Sequence, residues 1–314
     1  MRHLILPFAF VGILAVPAVA APFEPATIPD TALAVGHVDI DLARKTNLYA
    51  AVDAAGLTKP HGLDGMPPEL AALVPQLTKA LRGVSFWRGP EFGALYIETN
   101  DARLIAQVIA KLPASGMPIT ASKTVDGAPT WSFKGHDKDG YLATVGATVI
   151  LANSPETLEQ SIKALDGHGG NLAGSRKLTS PLRSGVFVFV TVGNDLIDEM
   201  QKSSHAKIMQ LPMKSIAFDV SESGTTMIGN LHAEMANPDA VAKATSIVNG
   251  IIALGSLSDD DDAKALLKGV TVTTSGNNVD VVAKLPEAQL TKLLVEAHAH
   301  EGEVHEHLRE HFGK

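Results

Sequence analysis

The sequence predicts an α+β protein with two related halves, each an antiparallel sheet packed against helices. Stretches in which apolar and polar residues alternate indicate half-buried strands, and short turns join several of them, as in antiparallel sheets. Stretches with apolar residues three and four positions apart lie between these strands and indicate helices. The same succession of elements recurs at an offset of roughly 130 to 140 residues, a period that indicates two domains or half-domains.

The first half opens with Val38, Ile40 and Leu42 in alternation with polar residues, which predicts a strand. Asn100 or Asp101 and Ser154 are expected to cap helices, because their side chains accept hydrogen bonds from the first helical amides. In chain order we expect a strand over residues 35–42, helices over 43–55 and 69–81, a strand pair over 84–87 and 94–98, a helix ending at 112, a meander over 130–133, 141–145 and 148–152, and a helix from 155 to 167.

The second half repeats this plan. Asn237 is expected to begin an alanine-rich helix that is buried in the core, and Pro286 begins the last helix as Pro155 does in the first half. In chain order we expect a strand over residues 186–192, a helix over 195–203, a strand pair over 215–220 and 226–235, a helix ending at 254, and a hairpin over 270–274 and 279–285.

The first twenty residues have the layout of a secretory signal peptide. Arg2 and His3 precede an apolar run from Leu4 to Val16, and Ala18 to Ala20 form a small-x-small cleavage pattern. The run is shorter than the roughly 20 residues that span a membrane, so we expect cleavage and export, with an uncleaved anchor as the alternative. The expected division is a signal peptide (1–20), an N-terminal half (21–178), a C-terminal half (179–297) and a tail rich in His and Glu (298–314).

The layout resembles that of exported bacterial proteins of unknown function with two tandem α/β halves. The resemblance covers residues 33 to 294. It rests on the first strand and the helix after it, and on the strand–Pro–Glu–helix junctions at Pro155 and Pro286. Such families have no assigned chemistry, so the resemblance implies a fold and no catalytic residues.

Composition excludes several classes of function. The net charge is −8 and the basic residues are scattered, whereas proteins that bind nucleic acid carry a clustered basic face. Cysteine is absent, which excludes disulfides, thiolate metal sites and cysteine nucleophiles. None of the common nucleophile, phosphate-loop or dinucleotide motifs occurs, so we favour a non-enzymatic protein.

The tail is the strongest candidate for a metal site. On a helix, His300, His307 and His311 share one stripe with Glu303 beside them, and His298 and His305 are secondary candidates. His307 and His311 are four residues apart, a spacing at which two imidazoles bind one ion, and imidazole suits Zn, Cu or Ni. The alternative is a solvated tail whose histidines bind nothing specific.

Two further sets of residues were candidates for chemistry. The string from His307 to His311 matches the H-x-x-E-H pattern of inverted zinc peptidases, but a catalytic zinc site also needs a third protein ligand and a walled cleft. His37, Asp39 and Asp41 alternate along the first strand; an outward polar strand face is the expected reading, and a cation or acid–base site is the alternative.

We therefore expect an exported binding or scaffolding protein of the periplasm or cell envelope. Its partner would be an envelope protein or a small ligand, without nucleic acid and without a transmembrane segment after signal cleavage. Transition-metal handling through the tail is the first alternative, and a hydrolase with a site assembled from distant residues is the second.

The metal hypothesis predicts a difference between the mature chain and a chain truncated after Glu296. Calorimetric titration of the chelator-stripped mature protein with Zn²⁺, Cu²⁺ or Ni²⁺ is expected to show tight binding of about one ion, since clustered imidazoles ligate these metals. Truncation is expected to abolish that binding. Equal, weak binding by both chains would contradict a metal site in the tail.

Overall fold

The computed structural model describes residues 22–58, 66–113, 116, 119–134, 139–174, 178, 185–202, 211–259 and 261–296. Within this part of the chain, the fold is α+β with two related halves, as the sequence predicts. The predicted signal peptide and the His/Glu-rich tail lie outside the described residues.

The elements of the N-terminal half, in chain order, are β1 (Ala34–Asp39), α1 (Ile40–Ala43), α2 (Asn47–Ala54), α3 (Pro68–Ala71), α4 (Val74–Ala80), β2 (Leu81–Arg88), β3 (Gly93–Thr99), α5 (Ala102–Lys111), β4 (Ile119–Ala121), β5 (Thr130–Lys134), β6 (Asp139–Val145), β7 (Thr148–Ala152) and α6 (Pro155–Leu165). Short 3₁₀ turns lie at Pro25–Thr27 and Leu172–Gly174.

The elements of the C-terminal half are β8 (Val186–Gly193), α7 (Asn194–Lys202), β9 (Met213–Ser223), β10 (Thr226–Met235), α8 (Pro238–Ser256), α9 (Asp261–Lys268), β11 (Val270–Ser275) and β12 (Asn278–Pro286). A further helix, α10, begins at residue 287 and is described as far as residue 296.

The sheets of the two halves are joined into one antiparallel sheet of twelve described strands. Its order is β11-β12-β10-β9-β8-β1-β2-β3-β7-β6-β5-β4. The joint is β1, which pairs with β2 on one side and with β8 on the other, so that Val35 lies between Trp87 and Thr191. The two halves therefore share one hydrogen-bonded framework.

The two halves have the same topology at their centre. In each, a first strand is followed by helix, a strand pair, helix and a hairpin, and the second hairpin strand pairs with the second strand of the pair: β7 with β3, and β12 with β10. The N-terminal half alone adds β5 and the short β4 beyond its hairpin. The strand β4 has only three residues, and its sequence shows no alternation of apolar and polar residues that would predict a strand.

Helices cover both faces of the sheet in the N-terminal half. On one face, Leu158 and Ile162 of α6 pack with Tyr96 and Ile150, and the Trp87 indole donates a 3.2 Å hydrogen bond to Ser161. On the other face, Ile105 and Ile109 of α5 pack with Leu142 and Val149. In the C-terminal half, Ala240, Val241 and Ala244 of α8 pack on Met235 and Val279.

The outward polar face expected for His37, Asp39 and Asp41 is wrong. All three are buried, with exposed fractions of 2%, 3% and 1%. The first strand ends at Asp39, earlier than the expected residue 42, because its carboxylate accepts a 2.8 Å hydrogen bond from the Leu42 amide and caps α1. Asp41 therefore lies on a helix, where strand alternation no longer decides which way it points.

The expectation of a fully buried alanine-rich helix is also wrong. Ala240, Val241 and Ala244 near its beginning are buried, but the exposed fractions rise to 57% at Ile251, 73% at Leu254 and 79% at Leu257. The helix begins at the Asn237 cap, as predicted. Its far end packs on α9, where the Leu267 side chain lies directly against Gly255.

A buried ion-pair network fastens α1 to the neighbouring elements. The Asp41 carboxylate accepts from Arg44 at 3.2 Å and from Arg82 at 2.9 Å, and its side chain is fully buried. Arg44 also donates to the carbonyl of Leu81 at 2.8 Å and to that of Thr78 at 2.6 Å. The network thereby connects α1 with the end of α4 and the beginning of β2.

Substitution of Asp41 is expected to destabilise the fold strongly. Asp41→Asn removes one partner of a buried pair and leaves guanidinium groups without their counter-charge, a change that costs about 3–5 kcal/mol. Urea unfolding measures the loss. The matched control is Glu159→Gln, which breaks the exposed pair with Lys163 and is expected to cost less than about 1 kcal/mol. Equal effects of the two substitutions would contradict the role assigned to the network.

Candidate ligand-binding cleft

A cleft of about 560 Å³ lies between α5 and the strands β4, β5 and β6. It opens on the sheet face that α5 covers. The described residues that line it are all uncharged: Ala102, Ile105, Ala106, Ile109, Ala110, Pro113, Ile119, Ala121, Pro129, Trp131, Thr144 and Gly146.

The cleft exists because α5 presents small side chains on the flank that lines it. Ala102, Ala106 and Ala110 are four residues apart and so form one stripe along the helix. Ile105 and Ile109 on the neighbouring stripe are buried and hold the helix against the sheet. A methyl group at each stripe position leaves between helix and strands the space that a larger side chain would fill.

Trp131 is the largest side chain of the cleft. It lies on β5 between Ala121 of β4 and Leu142 of β6, and it is half-buried against the α5 core. Its ring offers a broad apolar surface, and its indole N–H is a hydrogen-bond donor. The short strand β4 completes the sheet on the far side of the ring.

The described lining of the cleft supplies chiefly apolar contact. Among the described residues that line it, Thr144 has the only side-chain hydroxyl, and none has a titratable side chain. General acid–base or nucleophilic catalysis needs such a partner within hydrogen-bond reach. What the lining supplies is apolar contact area, which favours ligands with little polar surface.

The structure also brings together three polar side chains that are distant in the sequence. His37 Nδ1 lies 2.8 Å from Ser85 Oγ, and Ser85 Oγ donates to Glu98 Oε1 at 3.4 Å. The rings of Phe23 and Phe189 lie 5.7 and 6.0 Å from the imidazole and enclose it. Pairing of β1 with β2 and of β2 with β3 creates this cluster, because His37 lies opposite Ser85.

This cluster differs from a hydrolase triad in order and in access. In a triad the histidine lies between the hydroxyl and the carboxylate, whereas here Ser85 lies between His37 and Glu98. His37 and Ser85 have exposed fractions of 2% and 3%, and none of the three lines the cleft. The arrangement is therefore that of a satisfied polar cluster in the core.

Glu98 bears an electrostatic cost of this burial. Burial raises the pKa of its carboxyl above the usual range, the hydrogen bond from Ser85 and the charge of Arg82 oppose the rise, and Glu24 and Asp39 add to it. The carboxyl thus ionises less readily in the fold than in the unfolded chain.

The sequence-predicted metal residues lie outside the described part of the chain. His300, His307, His311 and Glu303, and the secondary His298 and His305, all fall after residue 296. Among the described residues, no group of three or more His, Asp or Glu side chains is placed to hold a metal ion. Metal binding by the tail stays a prediction.

Sequence reasoning missed the cleft, although one signal for it was present. The alanines at 102, 106 and 110 lie on a helix whose apolar stripe was recognised, but small residues at helical spacing indicate close packing as often as a gap. The gap itself depends on where β4 and β5 lie.

No helix in the described residues is long and apolar enough to cross a membrane.

Comparison with known proteins gives no functional assignment. No family model matches the sequence, and no curated protein matches it. The fold is similar to solved structures of TP0453 in crystal forms III, I and IV, at 10%, 9% and 10% identity and TM-scores of 0.48, 0.46 and 0.47. The matches cover 88% of this chain and 99%, 98% and 97% of the TP0453 chains. A likeness at this level carries no argument about function.

Replacement of Glu98 is expected to stabilise the protein at neutral pH. The pKa of the Glu98 carboxyl is higher in the folded protein than in the unfolded chain. The protein therefore loses stability as the pH rises from the unfolded pKa, near 4.3, through the folded value. Glu98→Gln retains an oxygen that can accept from Ser85 and removes the charge. The variant should therefore have a higher Tm than the wild type at pH 7.

The advantage of Glu98→Gln should disappear in acid. At about pH 3 the carboxyl is protonated in both the folded and the unfolded state, so the two proteins should melt at similar temperatures. Melting curves from pH 3 to pH 8 test both expectations. A difference in Tm that is independent of pH would show that burial of the charge is not its cause.

Proposed function

We propose that this protein is an exported, non-enzymatic binding protein that holds a small apolar ligand in the cleft beside α5. The observation that supports the proposal is that the described residues lining that cleft are uncharged, with Trp131 the largest of them. Sites for small molecules are typically concave, mostly apolar and about 300–1,000 Å³ in volume. The cleft falls within that range at about 560 Å³.

The expected affinity is moderate. Removal of about 300 Å² of apolar ligand surface from water contributes about 7.5 kcal/mol at 25 cal/mol per Å². The cleft adds few hydrogen bonds, and association costs several kcal/mol in lost translational and rotational freedom. Since about 7.5 kcal/mol alone corresponds to a dissociation constant of about 3 μM, we expect a ligand that is chiefly hydrocarbon to bind more weakly than that.

We include export in the proposal because the first twenty residues have the layout of a secretory signal peptide. Outside the cytoplasm, a ligand with little polar surface needs a carrier or a receptor because its solubility in water is low. We favour binding of such a ligand over scaffolding because a concave, mostly apolar cleft is typical of sites for small molecules.

Titration with N-phenyl-1-naphthylamine, an uncharged apolar fluorophore, tests the proposal. Its emission is expected to rise on binding, and tryptophan emission is expected to fall because Trp131 lines the cleft. Trp131→Phe should remove most of that fall, since Trp87 is buried in the core on the opposite sheet face.

A matched pair of substitutions on α5 locates the site. Ala106→Phe places a ring in the cleft and is expected to weaken binding at least tenfold, which corresponds to about 1.4 kcal/mol. Gln107→Phe adds the same ring at the next residue, which is exposed and lies outside the cleft, and should leave the affinity unchanged. Equal affinities of the two variants, or no binding by the wild type, would refute the proposal.

A further inference from the structure

The strand β11 presents an unprotected edge. It is the last strand on the C-terminal side of the sheet, and in the described part of the chain no strand pairs with its outer edge. The run from Gly269 to Val279 contains no charged residue and no proline, and Thr271, Thr273, Thr274 and Ser275 are exposed. Natural proteins usually protect such edges with charges, proline or a bulge, because an open edge pairs with other strands.

The register of the β11–β12 hairpin shows which backbone groups point outward. The amide of Lys284 donates to the carbonyl of Gly269 at 3.0 Å. Hydrogen-bonded pairs alternate along an antiparallel ladder, so Thr271 and Thr273 are bonded to β12. The N–H and C=O groups of Val270, Val272 and Thr274 therefore point away from β12.

The two halves of the fold differ at this edge. In the N-terminal half, the first strand of the final hairpin is β6, and it pairs on its outer side with β5. Its counterpart in the C-terminal half, β11, has no such neighbour among the described strands. Among the described strands, β11 therefore lacks the outer neighbour that its equivalent, β6, has in β5.

We propose that β11 pairs antiparallel with β11 of a second copy of this chain, around a twofold axis perpendicular to the sheet. The outward-pointing residues require Val272 to lie opposite the partner's Val272, with Val270 opposite the partner's Thr274. This register continues each sheet face into the same face of the partner, because directly opposite residues share a face. The fold already uses the same kind of joint internally, where the equivalent strands β1 and β8 pair antiparallel.

Charge does not oppose a second copy along this edge. The chain carries a net charge of −8, so two copies repel each other wherever charged surfaces meet. The uncharged run along β11 is a strip on which two copies approach without opposing like charges. Cross-strand pairs of valine and threonine then form on the two faces, and residues of this kind suit a pleated sheet.

The dimer is expected to be reversible. One pair of six-residue strands buries less than the roughly 800 Å² per partner of a standard stable interface, and interfaces below that size form weak complexes. Sedimentation velocity of the mature protein is therefore expected to show a concentration-dependent shift from the mass of one chain to twice that mass, between about 1 and 300 μM.

Thr274→Pro tests the edge directly. Proline removes an amide that points outward, so the β12 hydrogen bonds are retained while pairing with a second copy loses a donor and meets the pyrrolidine ring. Thr274→Ser keeps the amide and serves as its control. Thr273→Lys adds a charge to an exposed position of the same strand, and Thr120→Lys does so at the opposite edge of the sheet, on β4.

The expected result is a monomer for Thr274→Pro and Thr273→Lys at every concentration, with wild-type behaviour for Thr274→Ser and Thr120→Lys. If Thr274→Pro fails to fold, as circular dichroism would show, Thr273→Lys decides the question. A wild-type protein that stays monomeric up to 300 μM overturns the proposal. A dimer that survives both β11 substitutions overturns it equally, because its interface then lies elsewhere.

Discussion

The fold depends on the pairing of β1 with two strands at once. β2 occupies one side of β1 and β8, from the other half of the chain, occupies the second. A strand in this position has no free edge, so the two halves are held by main-chain hydrogen bonds as well as by side-chain packing. Without β8, β1 would be an edge strand, and the N-terminal half would present its backbone to solvent.

The central position of β1 explains why its polar residues are buried. His37 lies against the rings of Phe23 and Phe189, and its hydrogen-bond partner is Ser85. Asp39 caps the following helix by accepting a hydrogen bond from the Leu42 amide. Asp41 follows on α1 and holds two arginines. The polar residues near the joint thus fix how α1, β1 and β2 meet, while the apolar residues of α5 and α6 fill the layers further out. The cleft lies at the periphery of that N-terminal layer.

Much of the fold can be predicted from the sequence, because interactions between residues close together in the chain determine it. The caps Ser154 and Asn237, the strand over Thr226–Met235 and the turn between Ser275 and Asn278 all lie where their residues predict them. What could not be predicted depends on distant partners. The joining of β1 to β8, the burial of His37, the added strand β4 and the exposed end of α8 each result from which elements meet, and a single sequence carries no direct signal for that. The cleft belongs to the same group, because three alanines lining one flank of α5 leave space only if the strands opposite them are suitably placed.

The joint between β1 and β8 also bears on how the chain is made. Val35 and its partner Thr191 are 156 residues apart, so β1 is synthesised long before β8. During that interval one edge of β1 has no native partner, and the N-terminal half can fold only into a sheet that is still open. A chain of this design is most prone to aggregation after the N-terminal half has been made and before the C-terminal half closes the sheet.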